Sequence, residues 1–463
     1  MVPQRAMRSC LIGLALAGVC STGYAASDLS SLLNEALMND PVFGSARFAE
    51  QAGTEAEPQA RAALLPNLSL QGSGNETHSR VLSDNVQLQP NFTQTFKTWG
   101  PTLQVALPLY RAQLWDALSQ SKLAVRQSEM QFAQAREDLI VRVAQAYFDV
   151  LASHDALAAI QTNKQAISEQ LAQAQREFEV GTKTIVDTHE AKSRYDQAVA
   201  QEQVALGDVI VKKSALRAII GRDPGELAPL REAPDLIPAQ PSDVEAWAHN
   251  AEDNNFSVLA ARASAEIAHR ETRRARDAYQ PTLDLSGSVQ WQRATNIALS
   301  LSKAPPGAPP TFSTTPYTTS TTSGAVGVIA TIPLYTGDLL QSKIREARAN
   351  ESRTEQDLEA ARRNAAQSAR QAYTNTGYGL AQVRALESAE VSAKTQLEST
   401  RVGYEVGVRI NLDVLNANTQ LFNTQRDLKK ARYDFLVNGL KLKAASGILQ
   451  DRDVQAVNAL LQR

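Results

Sequence analysis

One stretch of the chain is written twice. Phe178-Glu-Val-Gly181-Thr-Lys-Thr-Ile-Val-Asp187 returns 226 residues later as Tyr404-Glu-Val-Gly407-Val-Arg-Ile-Asn-Leu-Asp413. Pro66-Asn-Leu68-Ser-Leu70 matches Pro281-Thr-Leu283-Asp-Leu285, and Leu107-Pro108-Leu109-Tyr110 matches Ile332-Pro333-Leu334-Tyr335. The offset is 215 residues at the first pair and 225 at the second, so the second copy carries an insertion between them. A repeat of this length implies two versions of one structural unit, side by side in a single body. Residues 26–222 and 242–447 are the expected units. The proline-rich 223–241 is a linker, and 448–463 a terminal tail.

Each unit mixes two periodicities. Leu68, Leu70 and Gly72 alternate with polar neighbours, as do Leu103, Val105, Leu107 and Leu109; Leu283, Leu285, Gly287, Val289 and Trp291; and Val326, Val328, Ala330, Ile332 and Leu334. Apolar on one face and polar on the other suits a strand with lipid outside and water inside, although a half-buried strand of a soluble sheet alternates in the same way. These segments predict hairpins over 66–110 and 281–335. Their connections, Glu76 to Thr98 and Arg293 to Ser323, read as solvated loops; the second holds five prolines among many Thr and Ser. Trp99 and Trp291 fall at the loop ends of their strands, and Tyr110 and Tyr335 at the opposite ends, as an aromatic girdle requires.

The other period is helical. From Gln113 to Glu179 there is neither proline nor glycine, and Leu339 to Arg401 is broken only by Gly377 and Gly379. Each run would reach about 100 Å. Val143, Val150, Leu157, Lys164, Leu171 and Phe178, with Ala146, Ser153, Ile160, Ile167 and Ala174, keep a seven-residue repeat, the signature of left-handed supercoiling. Gly181 and Gly407 then mark turns, with return helices to Gly221 and Gly447. Single helices are expected over Asp28–Leu64 and Ser242–Tyr279.

The start of the chain is an export signal. Arg5 and Arg8 precede the apolar run Cys10–Val19, and Gly23-Tyr24-Ala25 places cleavage after Ala25. Removal of residues 1–25 takes away two arginines and no acid, moving the formal charge from −2 to −4. Both cysteines, Cys10 and Cys20, leave too, so the mature chain holds no disulfide. Lipidation at Cys20 is the competing route, with Val19 standing where a small residue is usual. The mild charge offers nucleic acid no footprint. The histidines His78, His154, His189, His249 and His269 lack partners at metal-ligand spacing, and no phosphate loop or nucleophile elbow occurs. No catalytic residue, metal or cofactor is expected.

Four strands leave two open edges, which lipid does not tolerate. Closure must come from other copies. Two copies make eight strands, an interior filled by side chains; three make twelve, the smallest multiple with room for water. A channel therefore implies a trimer.

In this arrangement the chain resembles the TolC-like outer-membrane efflux channels. The likeness runs through the repeated proline–strand junctions, both Val-Gly turns and the stretch Ala431-Arg-Tyr433-Asp-Phe-Leu436 to Gly447. It implies a trimeric 12-stranded outer-membrane β-barrel, four strands per chain, continued by a long periplasmic α-helical barrel with an equatorial belt from the linker and tail. It also implies partners: a periplasmic adaptor protein at the tip turns of Gly181 and Gly407, an inner-membrane pump of RND, ABC or MFS type, and outer-membrane lipid. The family's gate maps onto the repeated motif. Tyr404 and Arg409 match tethering residues whose counterparts are Asp187 and Val186, the latter replacing a Thr. Asp413 matches the first of two ring aspartates, and Asn416 stands where the second would be. Three carboxylates rather than six would then face the entrance, weakening cation preference and block by multivalent cations. Taken by its spacing alone, Asp413 is better read as an acid in a first helical turn, and the resemblance reverses that reading. The expected function is a passive exit duct for drugs or secreted protein. A coiled-coil spacer or adhesin anchored by lipid at Cys20 is the alternative, and it would need no lipid-facing strands.

Overall fold

A computed structural model describes residues 27–82, 84, 91–182, 184–232, 234–302 and 311–462. The expected export signal with Cys10 and Cys20 lies outside them, as do Pro305, Pro306, Pro309 and Pro310. The chain runs α1 (Leu29–Asn39), α2 (Pro41–Thr54), α3 (Ala56–Ala62), β1 (Asn67–Val81), β2 (Phe92–Tyr110), α4 (Ala112–Glu179) and α5 (Ile185–Ile220). The second unit follows as α6 (Val244–Asn254), α7 (Phe256–Asp277), β3 (Thr282–Ser302), β4 (Thr311–Thr331), α8 (Leu339–Glu405), α9 (Asn411–Ala445) and α10 (Asp451–Asn458).

α4 has 68 residues and α8 has 67, so each is about 100 Å long. The helices expected over Asp28–Leu64 and Ser242–Tyr279 are instead broken, for a local reason. Asp40 accepts from the Phe43 amide and is followed by Pro41 at the first helical position, which starts a new helix inside the first segment. Asn255 does the same in the second through the Ser257 amide. Gly181, Gly221, Gly407 and Gly447 all have positive φ where their helices end.

α5 packs along α4 and α9 along α8, while α9 also lies on α4 and joins the two hairpins. The main core sits around the middle of α4, where Leu139, Val143, Tyr147 and Val150 meet Leu216, Ile220, Leu440 and Leu461. The linker is built into this region: Leu227 bridges to Ser27, Leu230 bridges to Leu461, and Tyr147 donates its hydroxyl to the Ala228 carbonyl at 2.7 Å. Towards the turns at Gly181 and Gly407 the apolar contacts thin out. Ile167, Ala198 and Leu415 form a small cluster, and Phe178, last of the heptad series, is exposed.

The four strands form one antiparallel sheet in the order β1-β2-β3-β4, with β1 and β4 at its edges. Here the loop expectation fails. β1 and β2 stay paired to Val81↔Phe92, and β3 and β4 to Ser302↔Thr311, so most of the supposed loops is strand. Threonine there is a β-former, and polar side chains bond across the ladder, as Ser300 to Ser313 (2.6 Å) and Asn296 to Thr319 (3.1 Å) illustrate. The β2–β3 pairing reaches only Lys97↔Thr295, leaving the end of the β3–β4 hairpin as a two-stranded projection. No helix among the described residues is long and apolar enough to cross a membrane, a test that does not bear on strands.

Candidate functional site

Two regions concentrate the residues singled out above: the sheet surface and the helical turns.

On the sheet, register decides which residues share a face. Leu68, Leu70, Gly72 and Gly74 pair with Val105, Leu103, Pro101 and Trp99. Leu103 and Val105 pair in turn with Val289 and Gly287, and Leu285, Gly287 and Val289 with Val328, Val326 and Gly324. One face is therefore a continuous apolar band. The opposite face carries Ser69, Gln71, Thr102, Gln104, Ser286, Ser288 and Gln290, and is polar. From Leu109 to Trp99 the band spans about 33 Å along the strand, or about 25 Å at the usual tilt, the height of a barrel's lipid-facing belt.

Trp99 and Trp291 meet edge to face on this band, ring centroids 5.0 Å apart. They stand inside their strands, not at the ends, because the strands run on past them. Gly100 lets the backbones of β2 and β3 approach closely beside this pair: a Cβ there would sit 1.9 Å from the Trp291 carbonyl oxygen. Beyond the pair the face turns charged, with Lys97 3.4 Å from Glu76. At the other end Tyr110 closes β2 and donates to Gln280 at 2.5 Å, while Arg111 grips Asp284 through two bonds of 2.7–2.8 Å. Tyr335 lies four residues past the end of β4, exposed.

At the turns, Tyr404 on the last turn of α8 donates its hydroxyl to Glu177 of α4 at 2.9 Å. Its phenol is pushed up to about 12, first by burial, then by the bond and charge of Glu177 and by the charge of Asp187. Asp187 is thus close enough to be felt, but its carboxylate is engaged as a cap on α5, accepting from the Thr184 hydroxyl (2.8 Å) and amide (3.2 Å). Val186 is exposed in the same first turn. Arg409 approaches Asp413 at 3.7 Å, and Asp413 in the first turn of α9 accepts from the Ile410 amide at 3.4 Å. Asn416 accepts from Arg194 of α5 at 3.3 Å. Gly181 and Gly407 sit in open space at the two turns.

Within one chain, then, the structure brings Tyr404 to Glu177 and Asn416 to Arg194, and pairs Arg409 with Asp413. It does not join Tyr404 or Arg409 to Asp187 or Val186 by a direct bond. Glu177 and Arg194 went unnoticed in the sequence, although a signal existed. At the 226-residue offset Glu177 aligns with Gly403, the position next to the repeated motif where the two copies differ most in chemistry.

Further up, more polar links fasten α9 to α4. The Asn418 amide donates to Asn163 at 3.1 Å in a buried site. Asp155 receives Lys429 at 2.7 Å and the Tyr433 hydroxyl at 2.5 Å.

The comparisons with known proteins agree with this architecture. The family model described as "Outer membrane efflux protein" matches residues 32–222 and 247–448. The chain is 32% identical to outer membrane protein TolC of Vibrio cholerae, with 96% of each chain covered. It is 29% identical to the alkaline protease secretion protein AprF of Pseudomonas aeruginosa, over 92% of this chain and 85% of that one. Among solved structures, CusC superposes with a TM-score of 0.73 at 17% identity, over 91% of this chain and 92% of the other. VceC from Vibrio cholerae does so with a TM-score of 0.71 at 20% identity, over 90% and 96%. These two show the fold. With both repeats matched by the family model and the TolC relative covered almost end to end, the chain belongs to the outer membrane efflux protein family.

Proposed function

We infer that the protein is the outer-membrane exit channel of an efflux or type I secretion system, working as a closed trimer gated at the helical turns. The observation that carries this reading is the sheet. One face is apolar over the height of a bilayer core, the other is polar, and both edges, β1 and β4, are unpaired in the single chain. In lipid those edges must find partners, and three copies supply twelve strands around a polar lumen. The lumen would continue between helices about 100 Å long, across the periplasm. The family model and the TolC and AprF likenesses support the export role and leave the spacer or adhesin reading without a feature to explain. Cargo and energy would come from an adaptor and an inner-membrane pump.

For the gate, Tyr404–Glu177 and Asn416–Arg194 tie the α8–α9 turn to α4 and α5. Any movement of the α8–α9 turn away from α4 and α5 would stretch these ties, while the apolar core and the Asp155 cluster hold the middle. Asp413 would supply the charge at the entrance, one carboxylate per chain, with Asn416 neutral beside it.

Two measurements test the reading together: the protein mass of the detergent-solubilised complex, and conductance in a planar bilayer. Three copies and a discrete conductance are expected. A folded monomer or dimer without conductance overturns it.

A further inference from the structure

The charged rim beyond the tryptophan pair is not explained by forming a barrel. The apolar face of the sheet does not end at a turn. It continues as strand, and its residues change character within one step. On β1 the face runs Gly72, Gly74, Glu76, His78, Arg80; on β2 it runs Pro101, Trp99, Lys97; on β3 Val289, Trp291, Arg293. Trp99 lies opposite Arg293, and Lys97 opposite Thr295, so Lys97 and Arg293 are diagonal neighbours on one surface. Both are exposed, and each stands one step past the indole of its own strand, with Arg293 level with Trp99.

Counted over the paired residues of this face beyond the tryptophans, Arg80, Lys97 and Arg293 oppose a single carboxylate, Glu76, which leans on Lys97 at 3.4 Å. His78 is held by Thr95 at 2.9 Å. Arg293 has no ion-pair partner among the described residues. Lys97 and Arg293 lie on the inner strands β2 and β3, so these two cations remain neighbours whatever pairs with the sheet edges.

We propose that Lys97 and Arg293 bind the phosphate of a lipid headgroup at the outer rim of the barrel. The inference rests on the barrel reading above. Indoles settle at the boundary between hydrocarbon and headgroups, which fixes the height of the pair. One step further places long cationic side chains at the phosphates, their aliphatic stems lying along the band. The guanidinium of Arg293 offers two parallel donors to phosphate oxygens, and Lys97 adds a point charge. Acyl chains of the same lipid would lie over Val289, Leu103 and the glycine surface of Gly72 and Gly74.

The test uses the full-length protein in neutral detergent and counts retained ligand by native mass spectrometry. Three probes separate the contributions: phosphatidic acid, diacylglycerol with the same chains, and soluble glycerol phosphate. Wild type is expected to retain phosphatidic acid over both others. Lys97→Gln with Arg293→Gln should weaken that retention roughly tenfold or more, from the loss of two charges at the membrane surface. Arg353→Gln, on an exposed face of α8, should leave it unchanged. Equal retention by wild type and the double variant overturns the proposal, as does no preference over diacylglycerol. Full competition by glycerol phosphate also overturns it, since phosphate alone would then suffice. Conductance of the same preparations separates the two readings. A conducting assembly without lipid preference rejects this site alone, whereas an assembly that never conducts rejects the barrel reading and the site with it.

Discussion

Replacing Glu137 by Gln should flatten the pH dependence of this protein's stability. Glu137 lies on α4 in the region where the tail leaves α9, is only 7% exposed, and has one carboxyl oxygen with no partner. Burial pushes its carboxyl up from 4.5 to about 8; the Leu449 amide, which bonds it, opposes the shift, and the neighbouring Asp138 adds to it. The sign follows from proton counting. Between 4.5 and about 8 the folded chain holds a proton here that the unfolded chain has released. Stability is therefore intact below 4.5, falls as pH rises through this window, and levels off above about 8. Each pH unit inside the window is worth about 1.4 kcal/mol, so between pH 5.5 and 8 the wild type loses about 3 kcal/mol per chain from this one group. Gln keeps the shape and an acceptor for Leu449 but cannot ionise. Its amide donors find no acceptor on the orphan side, so the variant should be the less stable protein at pH 5.5, by about 1–3 kcal/mol. At pH 8 the order should narrow or reverse. Thermal unfolding of both proteins at pH 5.5, 7 and 8.5 measures this, and the quantity that matters is how the gap changes with pH. A gap that stays constant refutes the reasoning, because it would mean that Glu137 is ionised throughout or that water reaches it.

Other consequences can be measured on the same assembly. Tyr404→Phe removes the hydroxyl that Glu177 accepts, a bond worth about 1.5 kcal/mol or more with a charged acceptor; open probability in bilayer recordings should rise about tenfold, and Glu177→Gln should move it the same way by less. No change in either variant would detach this pair from the gate. Asp413→Ala should lower cation preference, and an unchanged reversal potential in a salt gradient would remove Asp413 from the entrance. Gly100→Ala forces a methyl into the Trp291 carbonyl and should cost the sheet about 2–3 kcal/mol or more. Protease resistance of the purified protein reads it out, with wild-type resistance arguing that β2 and β3 can separate there without cost.

Much of the architecture was legible in the chain because it is periodic. Seven-residue spacing along α4, alternation in four segments, and glycine at each turn are local patterns whose physics depends on neighbours a few residues away. They located the first long helix within a residue, Ala112–Glu179 against an expected Gln113–Glu179, and the second within four, Leu339–Glu405 against Leu339–Arg401. The failures were also local in origin, and instructive. Asp40-Pro41 and Asn255 are capping signals that break two helices, and they were overrun by the surrounding helical composition. The Thr- and Ser-rich run before Gly324 looked like solvated loop because it has little to bury. It is strand because a partner strand, not a core, satisfies its backbone.

The candidate gate divides in the same way. The repeated motif located the helix end and turn that hold Tyr404, Arg409 and Asp413, while their expected roles, and that of Asn416, came from the family resemblance. Neither supplied the partners of Tyr404 and Asn416. Glu177 and Arg194 come from helices of the other repeat, 227 and 222 residues away, and nothing in local spacing says that α9 lies on α4 or that Asp187 is occupied in capping α5. The same holds for Lys97 and Arg293, which are 196 residues apart in the chain and become neighbours only through the β2–β3 register. Periodicity and turn chemistry act over a few residues and are set by the order of the amino acids. Pairing across hairpins depends on how those elements pack, and only the packed structure decides it.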